Sequence, residues 1–100
     1  MVKHIVFWNF AEAADGHSKA ENLDRVEAAL LALKDSIPEL LEIEVGRDFN
    51  GSPAAYDMSL YSVFESREGL NAYQVHPEHE KVRVLIGAVT SGRAVVDYDA

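Results

Sequence analysis

The sequence predicts an α+β domain in which four strands form one antiparallel sheet and the helices cover a single face of it. Three observations predict it. Val2 to Phe10 is an unbroken run of β-branched and aromatic residues, apolar on both of its faces. Behind a capping signature at Ser18, apolar residues recur at three and four positions as far as Ile37, the period of a helix with one buried stripe. A second helical stretch is interrupted at His76-Pro77 and lies between segments that read as strands. A chain of 100 residues leaves no room for a second core, so residues 1–100 form one domain.

Taken in order, the first strand puts Val2, His4, Val6, Trp8 and Phe10 on one face and Lys3, Ile5, Phe7 and Asn9 on the other. A strand buried on one side only would alternate apolar with polar, so both sides need cover. Ala11 to His17 reads as a loop. Ser18-Lys19-Ala20-Glu21 fits a capping box, and the helix it opens runs to about Ser36 with Leu23, Val26, Leu30, Leu33 and Ile37 on its stripe. Ile37-Pro38 closes it, because proline restricts the residue before it.

Leu40 to Phe49 is predicted as the second strand, with Leu41, Ile43 and Val45 opposing Glu42 and Glu44, and with Gly46 as the place for a bulge. Asn50-Gly51-Ser52-Pro53 is turn chemistry, and Tyr56 to Phe64 is the third strand, joined to the second as a hairpin. Ser66 caps a short helix from Arg67 to Gln74 that buries Leu70 and Tyr73. The next helix starts at Pro77 and buries Val82, Leu85, Ile86 and Val89, with Glu78 and Glu80 at its positive end. Ser91-Gly92 stops it, and Arg93 to Tyr98 is the last strand. The order β-α-β-β-α-β is the ferredoxin-like split pattern. Its helices leave the sheet face that carries Ile5 and Phe7 bare, which predicts a two-fold homodimer packed sheet to sheet around a barrel-like core.

Composition narrows the function. Nine Lys and Arg against 17 Asp and Glu give a net charge of −8, which argues against nucleic acid and against anionic membranes. No cysteine is present, so disulfide, thiolate and cysteine–metal chemistry are excluded, in keeping with a reducing compartment. The opening MVKHIVFWNF is interrupted by His4 and Asn9 and lacks a small-residue cleavage site, so it reads as a strand and not as a signal peptide. No apolar run approaches the length of a membrane span. These features predict a cytoplasmic protein.

Chemistry concentrates in Leu70 to Val82, LNAYQVHPEHEKV, where Tyr73, His76 and His79 fall within seven residues. The kink at Pro77 places His79 in the first turn of the last helix, pointing back at the domain body. His76 fixes the kink, and His17, just before the helix cap, is read as solvent-exposed. His79 has a usable general-base range, and Tyr73 can donate to a developing enolate; the alternative is a structural plug bonded to the broken helix. No metal is expected, because imidazoles three residues apart across a proline break lack the same-face geometry of a zinc helix and no third ligand has matching spacing. No phosphate loop, dinucleotide fingerprint or nucleophile elbow occurs, and no cofactor is expected.

The opening Val2-Lys3-His4-Ile5-Val6, the segment Val45-Gly46-Arg47-Asp48, Phe64-Glu65-Ser66 and Tyr73-Gln74-Val75-His76-Pro77-Glu78-His79 together resemble the Dabb family, the stress-responsive dimeric α/β barrel domains. The resemblance covers essentially the whole chain. It implies a ferredoxin-like homodimer with a small apolar pocket between sheet and helices, which in this chain would bind an unidentified small hydrophobic molecule. Some members are cofactor-independent polyketide cyclases; by that likeness His79 is a general base, Tyr73 a hydrogen-bond donor, and His4 orients the substrate. Val6, Trp8, Met58, Leu60 and His76 would then contact substrate. Met58 stands where the cyclase has a further histidine and Trp8 where it has a smaller aliphatic group, departures that bear on the cyclase activity and leave the fold untouched. Related dimeric barrels include monooxygenases, for which no motif is present.

Overall fold

The structure, a computed structural model, describes residues 1–100. Strand β1 (Val2–Phe10) is followed by a small hairpin of β2 (Ala13–Ala14) and β3 (His17–Ser18), then helix α1 (Lys19–Ser36), β4 (Glu42–Arg47), β5 (Met58–Phe64), α2 (Arg67–Val75), α3 (Pro77–Val89) and β6 (Thr90–Asp99). The main sheet has four antiparallel strands in the order β4-β5-β1-β6. Setting the small hairpin aside, this is the ferredoxin-like arrangement predicted from the order of elements, and the helices lie on one face.

Local signals act as read. Ser18 accepts from the Glu21 amide and the Glu21 carboxylate accepts from the Ser18 amide, completing the capping box. Along β1, Val2, His4, Val6, Trp8 and Phe10 are buried while the residues between them are half-buried. The apolar members of that set join Val26, Leu30 and Leu33 of α1, Leu60 and Phe64 of β5, and Tyr73, Val82 and Val89 of the later helices in one core of 16 residues.

The structure differs from the sequence reading at several non-local points. The expected loop at 11–17 contains the β2–β3 hairpin, turned by Asp15 and Gly16 at positive φ. It is held from α1, where buried Asn22 donates to the Ala14 carbonyl and Arg25 reaches Asp15. Gly46 makes no bulge: β4 pairs with β5 in unbroken register, and a Cβ at Gly46 would meet Ser59 Oγ at 3.0 Å, so glycine serves close approach between strands. The register shift falls at Asn9/Phe10 between β1 and β6. Leu41, read on the buried side of its strand, lies before β4 and is 39% exposed. Ser91 and Gly92 belong to β6; α3 ends instead at Thr90, whose hydroxyl donates to the Ile86 carbonyl at 2.7 Å.

On the helix-free face, Lys3, Ile5 and Phe7 of β1 lie beside Tyr61 and Val63 of β5 and Ala94, Val96 and Tyr98 of β6. Val96 and Tyr98 are 55% and 45% exposed, although this row is mostly apolar.

Candidate functional site

The break between α2 and α3 builds the site. His76 is extended, at φ −65° and ψ 137°, and ends one helix while capping the next. Its Nδ1 accepts from the Glu78 amide at 3.1 Å, and Pro77, with no N–H to satisfy, takes the first helical position. His76 therefore serves the corner. His79, one turn on, swings back so that its Nδ1 donates to the Gln74 carbonyl at 3.1 Å. A carbonyl only accepts, so the proton sits on Nδ1 and the Nε2 lone pair of the neutral ring is left available.

The Tyr73 ring lies against His79, with centroids 4.5 Å apart, and against Phe64 at 4.9 Å. His4 approaches the same ring edge-on at 6.3 Å. His4 of β1 thus meets Tyr73 of α2, which also packs on His79 of α3, across some seventy residues of chain. Ser62 Oγ donates to the His4 carbonyl at 2.9 Å from the neighbouring strand. Asp97 on β6, directly across from His4 in register, bonds His4 Nδ1. A carboxylate oxygen accepts there, so His4 Nδ1 is the donor.

Electrostatics follow from burial. Tyr73 is 0% exposed and its hydroxyl has no hydrogen-bond partner; desolvation pushes its pKa up to about 12, so it stays a neutral donor. Burial holds His79 below the ordinary histidine value of 6.5, opposed by its bond to the Gln74 carbonyl. The second orphaned buried donor is Trp8 Nε1, on the same sheet face as His4. An unpaired buried donor costs about 1–3 kcal/mol, and two of them on the helix-covered side single that side out.

Val6, Trp8, Met58 and Leu60 are core side chains packed in the same cluster as Tyr73. His76 does not join the Tyr73–His79–His4 group; it is taken up by the cap. A concavity of about 370 Å³ lined by Val2, Arg67, Leu70, Asn71, Asp97 and Asp99, among others, brings solvent to the carboxylate holding His4, but Tyr73, His79 and His4 do not line it, and the pocket expected between sheet and helices is filled there by core side chains. Arg67 and Asp99 pair on its rim. Sequence reasoning missed Asp97: nothing in the Arg93–Tyr98 run marks it, and only the β1–β6 register sets it opposite His4. No group of three or more His, Asp or Glu side chains converges to hold a metal.

Residues 2–100 match the family model described as the Stress Responsive A/B Barrel Domain, Dabb. A dimeric protein of unknown function and ferredoxin-like fold from Bacteroides fragilis is 30% identical, with a TM-score of 0.83 over 99% of this chain and 95% of that one. A dimeric ferredoxin-like protein of unknown function from Thermobifida fusca is 25% identical, with a TM-score of 0.83 over 99% and 90% of the two chains. A hydroxynitrile lyase from Passiflora edulis is 21% identical, with a TM-score of 0.82 over 97% and 90%, a likeness that shows the fold alone. No curated protein matches the sequence.

Proposed function

The chain belongs to the Dabb family of stress-responsive α/β barrel domains, and from that premise we propose that it is a homodimer whose interior site takes a small apolar molecule bearing a carbonyl. The dimer reading is supported by the bare apolar sheet face and by the dimeric relatives from Bacteroides fragilis and Thermobifida fusca. One observation carries the ligand reading: the Tyr73 hydroxyl is buried without a partner beside the neutral ring of His79. A carbonyl oxygen is what that donor lacks, and the surrounding Phe64, Leu70 and Val6 suit an apolar body. Entry from the concavity beside Asp97 requires side chains around Tyr73 to give way, since the site is closed by its own core.

The same geometry favours a second reading, a cofactor-free lyase or cyclase. His79 Nε2 carries the free lone pair of a ring held neutral by burial, and Tyr73 is the donor for the oxygen of an enolate. His79 would remove a proton from the carbon beside the carbonyl while Tyr73 takes the developing negative charge and His4, fixed by Asp97, orients the substrate.

The chain has one tryptophan, Trp8, on the same sheet face, so its emission reports binding there. Titration with acetophenone and longer aryl ketones is expected to shift it, and Tyr73→Phe to weaken binding about fivefold to tenfold for loss of one hydrogen bond. If the site is catalytic, the ketone α-hydrogens exchange with deuterated water in NMR spectra and His79→Ala stops the exchange. Binding without exchange would leave the pocket reading and remove the enzymatic one. No response of Trp8 emission or of the His79 ring signals to any ketone would sink both.

A further inference from the structure

On the helix-free side, a groove of about 680 Å³ runs between the end of the sheet and the segment connecting β4 to β5, with Phe7, Tyr56, Met58, Ala94, Gly46 and Arg47 among its walls. At its rim stands Phe49, 102% exposed, more than any other large apolar side chain in the chain. The segment that carries it is tied down. The Asp48 amide donates to the Asp57 carbonyl at 3.0 Å, closing the base; the Gly51 amide donates to Asp48 Oδ2 at 2.8 Å, and the Ala55 amide to the Ser52 carbonyl at 3.0 Å. Phe49 is therefore presented to solvent by an ordered loop, and an exposed aromatic on such a mount is a ready anchor for an interface.

We infer that the groove receives Phe49 of a second copy of this chain. The inference rests on the homodimer proposed above and specifies how its two sheets are clasped. Area supports the commitment to a second copy. Four strands about 4.8 Å apart and six to ten residues long at roughly 3.3 Å each present a plane on the order of 500 Å². A stable interface buries roughly 800 Å² of accessible surface on each partner, and a contact at the end of the sheet adds to what the flat face supplies. A phenylalanine seated in a groove adds on the order of 200 Å². The groove is continuous with the bare face, since Phe7 and Ala94 belong to both. A two-fold axis makes the exchange reciprocal, each copy giving one Phe49 and accepting one.

The chain contains no cysteine, so single-cysteine variants give a direct test. Phe49→Cys and Ala94→Cys proteins, mixed and oxidised, are expected to form a disulfide-linked heterodimer. Phe49→Ala, which removes only solvent-exposed atoms from the monomer, is expected to raise the dimer dissociation constant about 100-fold in sedimentation equilibrium, roughly tenfold for each of the two anchors. A wild-type dimer whose constant is unchanged in Phe49→Ala, with no cross-link, overturns the clasp and leaves the homodimer standing. A wild-type monomer overturns the homodimer and the clasp with it.

Discussion

The two faces of β1 are made of similar residues and end differently. Val2, His4, Val6, Trp8 and Phe10 turn towards the helices and are buried within the chain; Lys3, Ile5, Phe7 and Asn9 turn away and stay half-open. On the covered face Ser62 has the His4 carbonyl and His4 has Asp97, so the two unpaired donors, the Tyr73 hydroxyl and Trp8 Nε1, stand out. On the bare face the reverse holds: what stands out is apolar surface, Val96, Tyr98 and the neighbouring Phe49. An orphaned donor in the core is a group still owed a polar partner, whereas exposed apolar groups on a flat sheet are surface still owed cover. Burial decides which kind of incompleteness carries functional meaning.

The largest effect that separates the faces is truncation. Phe64→Ala, at a side chain with no solvent exposure between His4 and Tyr73, is expected to cost about 3–5 kcal/mol in urea unfolding. Val96→Ala on the bare face is expected to change unfolding of the monomer by no more than about 0.5 kcal/mol. Equal losses at the two sites would break the comparison.

A sharper test compares two buried hydroxyls. Ser62→Ala removes a satisfied donor and leaves the His4 carbonyl with one fewer partner, so it is expected to destabilise by about 1 kcal/mol. Tyr73→Phe removes an unsatisfied one and is expected to stabilise by about 1 kcal/mol. A destabilised Tyr73→Phe protein would mean that the hydroxyl does find a partner in solution.

The smallest expected effect is a dependence on pH. Because the folded pKa of His79 lies below 6.5, the unfolded chain binds its proton first as the solution is acidified. The stability that neutral His79 contributes is full above pH 6.5 and is lost as the pH falls through the folded value. The difference in urea midpoint between pH 7.5 and pH 5.5 should therefore shrink in His79→Gln relative to wild type. An unchanged difference would show that His79 is hydrated in the folded protein.

The features legible in the sequence are local ones. The serine hydroxyl and glutamate of the capping box, the alternation of β1, the missing N–H of Pro77 and the order of elements each act within a few residues, and each could be read before folding is considered. The same locality made Tyr73 and His79 legible as neighbours across a broken helix, while the pairing of His4 with them came from the family resemblance. Tertiary structure alone decided the rest. Asp97 meets His4 only through strand register. Gly46 is a glycine because of Ser59 on the next strand, and Asn22 is buried because a hairpin eight residues earlier needs a donor. Those contacts join positions whose separation along the chain carries no mark of their meeting, since register and close approach are fixed by packing of the whole sheet and not by the preference of any one residue.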